Sequence, residues 1–465
     1  MKNMTLENIA RACGGIYYGP EEKRKEEVEG ISIDSRKIEK KWLFVATKGQ
    51  RVDGHSFIPD VLKKGALCVV SEQKPEADNV ACIFVEDSFK ALKDIAEFYR
   101  NQMKLPIIGI TGSVGKTSTK EMIAAVVSEK YNTLKTEGNF NNEVGVPLTI
   151  FRIREEHQAA VVEMGISDFG EMHRLSRIVK PDLCVITNIG QCHLENLGDR
   201  DGVLRAKTEI FDYMKEDAPA ILNGDDDKLS EWKEKREGLT YFSIRQEENR
   251  QAKIFATHIG GHGIFGTDCT IHTPAGCIKV HIPIPGEHMV NNALAATAVG
   301  LKLSLSLEEI KRGIEKVEAL EGRSHLIITE QYTILDDCYN ANPVSMKAAL
   351  NLLGNTRGRR CAIIGSMFEL GEKEKELHKE IGSYGVEKQL DVIVAIGELG
   401  RYIYEGALER KKEGSFPTEL FYFETVEAFL NACQDILKRK DALLIKASHG
   451  MNFQVIVEKL RCCAS

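Results

Sequence analysis

Short apolar runs and amphipathic stretches alternate along the chain, and changes in this pattern divide it into three segments. The first segment contains brief β-branched runs separated by turns rich in glycine and charge, a pattern typical of short strands. Helical spacing of apolar positions predicts helices near residues 5–13 and 91–103. The strands are predicted at residues 31–33, 42–46, 67–70 and 83–85. The first segment is therefore expected to be a small mixed α/β domain.

Pro106 indicates where the first segment ends. A proline disfavours helical geometry at the residue before it, so the helix predicted at 91–103 cannot continue into the next apolar run. We place the boundary at Lys104 and predict a first domain of residues 1–104.

The second segment alternates nearly continuous apolar runs with helical stretches, which indicates a parallel sheet covered by helices on both faces. Its strands are predicted at residues 107–110, 159–162, 183–187 and 220–222. Between residues 254 and 284 a glycine-rich alternation predicts an antiparallel extension, and a helix is predicted at 290–301. This central domain is expected to cover residues 105–321.

The third segment repeats the strand-then-helix pattern from residue 322 to residue 465. Its strands are predicted at residues 333–335, 360–364, 392–396 and 443–445. This order favours a Rossmann-like α/β domain. The whole chain is therefore predicted to be an α/β protein of three domains.

Composition narrows the class of protein. A chain of 465 residues exceeds what one hydrophobic core usually supports, and 43% hydrophobic with 28% charged residues is typical of a soluble globular protein. The net charge of -7 argues against a general nucleic-acid binder, and no apolar run approaches the ~18 residues of a membrane span. The N-terminus lacks the apolar core of a signal peptide, and the 12 cysteines form no C-x-x-C pair. We expect a cytoplasmic protein with reduced thiols, no nucleic-acid partner and no membrane insertion.

Residues 111–118 read Thr-Gly-Ser-Val-Gly-Lys-Thr-Ser and connect the first central strand to a predicted helix. The strict phosphate-loop pattern requires glycine where Ile110 stands, so this is a shortened variant. In such a loop, glycines allow backbone N–H groups to surround phosphate oxygens at a helix N-terminus. Lys116 can reach the β- and γ-phosphates, and the Thr117 hydroxyl can bind Mg²⁺.

The alternative for this loop is a tight turn with a surface lysine, but the strand before it and the helix after it favour phosphate binding. The chain is therefore predicted to bind a nucleoside triphosphate. The predicted phosphate-binding residues are Gly112, Ser113, Val114, Gly115, Lys116, Thr117 and Ser118.

Three more residues are expected near the phosphate loop. Glu163 follows the strand at 159–162, where a carboxylate beside the loop can hold Mg²⁺. His193 follows the strand at 183–187 at the same sheet edge, but magnesium prefers oxygen ligands, so spacing alone places it only near the site. Lys207 lies on a predicted helix. An ammonium group cannot bind a metal unless it is modified, for example by carbamylation.

Longer motifs occur at residues 136–147 (Thr-Glu-Gly-Asn-Phe-Asn-Asn-Glu-Val-Gly-Val-Pro), 163–165 (Glu-Met-Gly) and 336–343 (Asp-Asp-Cys-Tyr-Asn-Ala-Asn-Pro). Glu-Leu-Gly at 369–371 adds weaker support. With these motifs the chain resembles the Mur ligase family, the ATP-dependent amide-forming enzymes of bacterial cell-wall precursor synthesis. The resemblance covers essentially the whole length.

The resemblance implies substrates. The Asn-Ala-Asn-Pro motif is most similar to members that join D-alanyl-D-alanine to UDP-N-acetylmuramoyl-tripeptide, whereas sister ligases that add a diamino acid differ there. The implied product is UDP-N-acetylmuramoyl-pentapeptide, formed through an acyl phosphate. The third residue of the tripeptide, lysine or meso-diaminopimelate, is left open, and a monomer is expected.

The resemblance also implies ATP and two Mg²⁺ ions as cofactors, and it assigns roles to individual residues. The implied catalytic residues are Lys116, His193, Lys207 and Arg323. The implied metal site consists of Thr117, Glu163, His193 and a carbamylated Lys207. Beyond the phosphate loop, the implied nucleotide contacts are His288, Asn292, Asp337, Tyr339 and Asn340. The implied substrate contacts are Ser35, Arg36, Lys48, Asp53, His55, Asn139, Asn141, Asn142 and Asn342.

Two positions depart from the family pattern. His449 stands where the family usually has an arginine, and a histidine does not replace an always-charged, bidentate side chain. Ser366 stands where an aspartate is common, and no catalytic role is assigned to it. The alternatives are another Mur-type or folylpolyglutamate-type amide ligase, a non-catalytic ATP-binding regulator, and a transport or motor ATPase.

Overall fold

Three β-sheets organise the computed structural model, which describes residues 1–49, 52–75, 79–232, 236–247, 249, 251–261 and 265–462. Each sheet lies within one of the three predicted segments, so the predicted three-domain α/β fold is confirmed. Within the described residues, no helix has the length and apolar character needed to cross a membrane.

The first sheet has five short strands. They are β1 (Ile16–Tyr18), β2 (Ile31–Ser32), β3 (Leu43–Val45), β4 (Cys68–Ser71) and β5 (Cys82–Phe84). Their order is β1-β5-β4-β3-β2, with β1 antiparallel to β5 and the other neighbours parallel. The helices of this segment are α1 (Leu6–Ala12), α2 (Ile58–Lys63) and α3 (Ser88–Arg100). The side chains of Thr5 and Asp87 cap α1 and α3.

The central sheet has nine strands. They are β6 (Ile107–Thr111), β7 (Thr133–Lys135), β8 (Ala159–Glu163), β9 (Leu183–Ile186), β10 (Ala220–Asn223), β11 (Leu239–Ser243), β12 (Ile254–Gly261), β13 (Thr267–Thr273) and β14 (Gly276–Ile282). Their order is β14-β13-β12-β11-β10-β9-β6-β8-β7. Strands β12 to β14 form the predicted antiparallel extension, and all pairs from β7 to β12 are parallel.

The central helices cover both faces of this sheet, as the continuous apolar strands require. They are α4 (Lys116–Ser128), α5 (Gly145–Ile150), α6 (Glu171–Val179), α7 (Leu194–Leu197), α8 (Arg200–Thr208), α9 (Asp227–Glu231), α10 (His288–Lys302) and α11 (Leu307–Glu315). Strand β6 lies between β9 and β8, so the loop after it opens between two parallel neighbours at the sheet's carboxyl edge.

The third sheet has six strands. They are β15 (His325–Ile328), β16 (Tyr332–Asp336), β17 (Arg360–Gly365), β18 (Val392–Ile396), β19 (Glu419–Phe423) and β20 (Asp441–Lys446). Their order is β15-β16-β20-β17-β18-β19, with β15 antiparallel and the others parallel. The helices are α12 (Pro343–Gly354), α13 (Glu374–Glu387), α14 (Gly400–Glu413), α15 (Val426–Ile436) and α16 (Gln454–Cys462).

The first two segments are joined firmly through α3. The hydroxyl of Tyr99 donates a hydrogen bond to the carbonyl of Ile153 at 2.7 Å. The Arg100 guanidinium donates to the Val179 carbonyl at 2.7 Å and pairs with Asp182 at 2.9 Å. One hydrophobic core includes residues of both segments, whereas the third segment has cores of its own.

Candidate active site

A cavity of about 770 Å³ lies between the carboxyl edges of the central and third sheets. On the central side it is lined by the phosphate loop, Glu163 and His193. On the other side it is lined by residues that follow β16 and β17 and by Lys446 at the end of β20. Ligands of open parallel sheets bind outside the carboxyl ends of the strands, and here two such edges face one another.

The phosphate loop needs glycine at two positions. Gly112 has φ 145°, and a Cβ atom there would lie 1.9 Å from Thr187 Oγ1. Gly115 has φ 81° and occupies the N-cap of α4. The first bond inside this helix runs from the Thr119 amide to the Gly115 carbonyl at 2.8 Å. The amides of residues 116–118 precede it and point out of the helix N-terminus, as phosphate binding requires.

Asn188, which the sequence analysis did not identify, holds this loop in place. Its side-chain oxygen accepts a hydrogen bond from the Val114 amide, and its side-chain nitrogen donates to the Val114 carbonyl, both at 2.9 Å. Thr187 Oγ1 donates to the same carbonyl at 2.7 Å. The Ser113 amide donates to the Asn188 carbonyl at 3.0 Å, so both residues between the glycines are fixed by the end of β9.

Lys116 lies at the start of α4, and its Nζ donates to the Gly112 carbonyl at 2.8 Å. Removal from water lowers the pKa of this lysine, and the nearby Glu163 carboxylate opposes the shift. The ammonium group is therefore held back against its own loop, at the edge of the cavity.

Glu163 is 1% exposed at the end of β8. Its Oε1 accepts hydrogen bonds from Thr117 Oγ1 at 3.1 Å and from Asn141 Nδ2 at 2.8 Å. Its Oε2 is buried and has no hydrogen-bond partner among the described residues. An unsatisfied carboxylate oxygen beside a threonine hydroxyl suits a hard cation such as Mg²⁺, which prefers oxygen ligands.

His193 begins α7 in a left-handed conformation, with φ 51°. Its Nδ1 lies 3.0 Å from Glu369 Oε2 of the third segment. Burial lowers the pKa of His193, the Glu369 carboxylate opposes this shift, and the charges of Lys207 and Lys116 add to it. A neutral imidazole is favoured, which is the form that can bind a metal.

Lys207 is 1% exposed on α8. Burial and the charge of Lys116 lower the pKa of its ammonium group to about 8. A neutral amine is the form that reacts with carbon dioxide, so the environment of Lys207 fits the predicted modification. No group of three His, Cys, Asp or Glu side chains suited to a metal occurs within the described ranges, so a metal here also needs other donors.

Two of the implied nucleotide contacts, His288 and Asn292, lie next to the phosphate loop. Asn292 is 6% exposed on α10, and its side-chain oxygen accepts a hydrogen bond from Thr119 Oγ1 at 2.9 Å. Its side-chain nitrogen contacts the Met289 sulfur at 3.2 Å. His288 and Asn292 both line the cavity.

The third segment brings Arg323 and Tyr339 together. The Arg323 guanidinium lies 4.0 Å from the centre of the Tyr339 ring, and His449 lies 5.4 Å from that ring. His449, one of the two residues that depart from the family pattern, therefore packs against Tyr339. Ser448 Oγ accepts a hydrogen bond from the Phe368 amide at 2.9 Å, and the Ser366 carbonyl accepts one from the Ser448 amide at 3.0 Å.

Lys446 joins the other predicted residues of this side. Its Nζ lies 2.6 Å from Asp337 Oδ2 and 2.9 Å from the Asn340 carbonyl. Asn342 lines the cavity and caps α12 by accepting a hydrogen bond from the Ser345 amide at 2.9 Å. The pair of Lys446 and Asp337 therefore fixes the segment that carries Asn340 and Asn342.

Three predicted asparagines lie on the loop before α5 and line the cavity. Asn139 is exposed, and Asn141 binds Glu163 as described above. The side chain of Asn142 accepts a hydrogen bond from the Gly145 amide at 2.8 Å and shapes the turn into α5. Of these three asparagines, Asn139 is therefore the one whose side chain has no such contact with a neighbouring residue of the site within the described part of the chain.

The predicted residues of the first segment lie outside this cavity. Arg36 is exposed and forms a bidentate ion pair with Asp34. The backbone carbonyl of Ser35 accepts a hydrogen bond from Lys64 Nζ. Lys48 forms a backbone bridge with Asp53. His55 Nδ1 lies 2.6 Å from Asp53 Oδ1, and its Nε2 accepts a hydrogen bond from the Glu72 amide at 3.1 Å. Both nitrogens of the His55 ring therefore have partners within the segment.

Comparison with known proteins gives three matching family models, in chain order. The model described as "Mur ligase family, catalytic domain" matches residues 27–105. The model described as "Mur ligase middle domain" matches residues 110–300, and "Mur ligase, glutamate ligase domain" matches 322–449.

Relatives match over nearly the whole length. The chain is 35% identical over 468 residues to the UDP-N-acetylmuramoyl-tripeptide--D-alanyl-D-alanine ligase of Bacillus subtilis (strain 168), with 99% of each chain covered. A crystal structure of MurF from Acinetobacter baumannii superimposes with a TM-score of 0.88 at 33% identity, covering 98% of each chain. MurF from Thermotoga maritima in complex with ADP gives a TM-score of 0.81 at 26% identity, covering 93% of this chain and 97% of that one.

Proposed function

Since the chain belongs to the Mur ligase family, we propose that it joins D-alanyl-D-alanine to UDP-N-acetylmuramoyl-tripeptide at the expense of ATP. The products are UDP-N-acetylmuramoyl-pentapeptide, ADP and phosphate. The enzyme is an ATP-dependent ligase that forms a C–N bond.

The observation that carries this proposal is the single cavity between the two carboxyl edges. It brings the phosphate loop together with the 336–343 motif, although more than 200 residues separate them in sequence. A nucleotide bound at Lys116 therefore faces the segment that distinguishes D-alanyl-D-alanine-adding members from their relatives. A protein that only bound ATP would not need the 336–343 segment on the opposite side of the cavity.

ATP binds with its phosphates at residues 112–118 and its base near His288 and Asn292. The free amides at the start of α4 hold phosphate oxygens, and Lys116 moves from the Gly112 carbonyl to the terminal phosphates. Arg323, with Asp337, Tyr339 and Asn340 around it, approaches the same phosphates from the third domain. Phosphoryl transfer depends mainly on alignment and on neutralising charge, which these cations supply.

Two Mg²⁺ ions would be held at this site by Thr117, Glu163, His193 and a carbamylated Lys207. The free Oε2 of Glu163 and the lowered pKa of the buried Lys207 support this assignment. When bound, Mg²⁺ would neutralise phosphate charge.

The chemistry proceeds in two steps. The terminal carboxylate of the tripeptide attacks the γ-phosphorus of ATP, so that ADP leaves and an acyl phosphate forms. The neutral amine of D-alanyl-D-alanine then attacks the acyl carbon, and phosphate leaves the tetrahedral adduct as the amine loses its proton. The protein must exclude water from the acyl phosphate, and the facing domains provide that enclosure.

The donor substrate is assigned to residues 1–104 and to the loop before α5. The uridine nucleotide is assigned to Ser35, Arg36, Lys48, Asp53 and His55. The bridge between Lys48 and Asp53 and the contact between Asp53 and His55 hold the last three of these residues together. Asn139, Asn141 and Asn142 approach the peptide end. Residues 105–321 form the ATP-binding domain. Residues 322–465 form the domain whose Asn342 faces the incoming dipeptide.

We further assign a cytoplasmic, monomeric enzyme. Its described cysteines are all free thiols, which is consistent with a reducing compartment. Light scattering after size exclusion should give a mass near that of one 51.9 kDa chain.

Incubation of the protein with ATP, Mg²⁺, UDP-N-acetylmuramoyl-tripeptide and D-alanyl-D-alanine tests the proposed reaction. Mass spectrometry should detect UDP-N-acetylmuramoyl-pentapeptide, and omission of the dipeptide or the variant Lys116→Met should abolish it. Parallel reactions with a diamino acid or glutamate in place of the dipeptide test the other amide ligases. Product with one of those acceptors and none with D-alanyl-D-alanine would refute the assignment.

A further inference from the structure

One buried lysine of the phosphate-loop helix has no part in the chemistry above. Lys120 lies on α4 one turn after Lys116, so the two side chains share a face of the helix. The Lys120 side chain is only 1% exposed. A buried ammonium group is costly unless anions compensate it, so its surroundings must supply negative charge.

Two carboxylates supply that charge. Lys120 Nζ lies 3.1 Å from Glu121 Oε1 and 3.8 Å from Glu163 Oε2. Glu121 also pairs with Lys135 of β7, whose side chain is 46% exposed. The contacts form a chain of alternating charge from Lys135 at the surface, through Glu121 and Lys120, to Glu163 in the cavity wall.

The contact between Lys120 and Glu163 is one of charge rather than of hydrogen bonding. Within the described residues, Lys120 Nζ and Glu163 Oε2 are both buried atoms without a hydrogen-bond partner. Their separation of 3.8 Å exceeds hydrogen-bond length but is within ion-pair contact. The ammonium therefore compensates the carboxylate while leaving the lone pairs of Oε2 available.

We infer that Lys120 is a resident counter-cation that makes metal binding at Glu163 depend on the nucleotide. Because the charge of Glu163 is compensated beforehand, a free divalent ion gains little attraction there. The phosphates of a nucleotide at the adjacent loop add negative charge and restore that attraction. The metal therefore enters together with the nucleotide. This inference rests on the proposed role of Glu163 as a metal ligand.

Direct binding of Mn²⁺, measured by electron paramagnetic resonance, tests the inference without any turnover. In the wild-type protein, Mn²⁺ should bind weakly alone and much more tightly with ADP. Lys120→Met removes the charge but keeps an unbranched side chain, so Mn²⁺ binding without nucleotide should tighten at least ~10-fold. Lys120→Arg keeps the charge and should behave like wild type.

Two further variants locate the effect. Lys135→Met makes the same substitution at the exposed end of the charge chain, so it should leave Mn²⁺ binding unchanged. The double variant Lys120→Met with Glu163→Gln should lose the gained affinity, because the gain arises at that carboxylate. Circular dichroism checks folding, and Lys120→Gln removes the same charge if Lys120→Met does not fold.

Unchanged or weaker Mn²⁺ binding by folded Lys120→Met without nucleotide would overturn the inference, as would a gain that persists in the double variant. If Glu163→Gln alone weakens Mn²⁺ binding with ADP while Lys120→Met changes nothing, only the inference fails. If Glu163→Gln leaves that binding unchanged, the proposed metal role fails and the inference fails with it.

Discussion

His193 and Glu369 meet across the cavity, with His193 Nδ1 3.0 Å from Glu369 Oε2. His193 follows β9 of the central sheet, and Glu369 follows β17 of the third sheet. Both have left-handed backbones, with φ 51° and φ 63°, a conformation that side-chain-bearing residues seldom adopt. The contact between the central and third domains therefore involves two residues, His193 and Glu369, whose unusual backbone conformations are maintained by the structure around them.

Glu369→Gln should loosen the arrangement of the domains in the nucleotide-free protein. The Glu369 carboxylate attracts the polar ring of His193, and a partly exposed contact to a charged group contributes about 1 kcal/mol, which corresponds to about a fivefold smaller docked population when it is lost. Small-angle X-ray scattering should show a larger radius of gyration for this variant. Glu372→Gln, a nearby exposed glutamate outside the cavity lining, serves as the control. Identical scattering from both variants and wild type would contradict the predicted role of the pair.

Arg323→Met should lower turnover far more than nucleotide affinity. Arg323 rests on the Tyr339 ring rather than on the phosphate loop, so ADP should bind with little change. An arginine that stabilises charge in phosphoryl transfer accounts for roughly 10³-fold or more in rate. Steady-state kinetics and calorimetric ADP binding measure the two effects separately. Equal losses in both would argue against a role for Arg323 that is confined to the reacting state.

Tyr339→Leu should have a smaller effect on the same reaction. The substitution removes the ring that orients Arg323 but leaves the guanidinium, and a cation–π contact contributes about 1 kcal/mol. Turnover should fall about 5- to 10-fold. A loss as large as that of Arg323→Met would instead assign Tyr339 a direct contact with the reacting groups.

Asn188→Ala should weaken nucleotide binding. The Val114 amide would lose its partner, whereas the Val114 carbonyl would keep the hydrogen bond from Thr187 Oγ1. An unsatisfied buried group costs about 1–3 kcal/mol. We expect ADP to bind at least ~10-fold more weakly in calorimetry. Asn196→Ala removes an exposed asparagine of α7 that does not contact the loop, and it should bind ADP as wild type does. Equal affinities in both variants would show that the loop keeps its shape without Asn188.

Regular patterns allowed the domain plan to be predicted. The strands at the centre of each sheet are nearly uniformly apolar, and runs such as residues 107–110 and 392–396 stand out for that reason. The strands that were not predicted lie at or near sheet edges or carry mixed residues, as in β7, β15 and β19. Half-exposed strands of this kind have weak apolar signals. The observed helix ends differ from the predicted ones by a few residues, because capping side chains such as Asp87 determine where a helix begins.

The candidate site was also predicted only in part, because its contiguous motif is visible in the sequence and its long-range contacts are not. The phosphate loop was predicted because its glycines and Lys-Thr pair are contiguous in sequence. Asn188 and Glu369 follow strands that are distant in sequence from the residues they contact. The motif at 369–371 supported the resemblance but did not show that Glu369 lies beside His193. Lys120 was not identified as a site residue, because its burial depends on the packing of α4 against β8, which the sequence does not show.

His378 should give the fold a specific dependence on pH. Its buried ring accepts a hydrogen bond from the Met367 amide at 2.8 Å, and burial lowers its pKa below the usual 6.5. Below pH 6.5 the unfolded chain therefore binds a proton that the folded chain binds only at lower pH. The free energy of unfolding should fall as the pH drops from 6.5 towards the lower pKa of the folded chain. Above this range the histidine is neutral in both states, so His378 should not make the stability depend on pH.

The variant His378→Gln isolates this effect. It cannot gain a proton, so its loss of stability below pH 6.5 should be shallower than that of wild type. Urea unfolding at a series of pH values measures the slopes. Parallel curves for the two proteins would show that His378 does not titrate differently in the folded and unfolded chains.

The most direct test of the account follows the oxygen atoms of the donor carboxylate. UDP-N-acetylmuramoyl-tripeptide labelled with heavy oxygen in its terminal carboxylate is incubated with the enzyme, ATP, Mg²⁺ and D-alanyl-D-alanine. If the carboxylate is activated as an acyl phosphate, one labelled oxygen should appear in the released phosphate for each amide bond formed. Pentapeptide formation with no label in the phosphate would contradict the account.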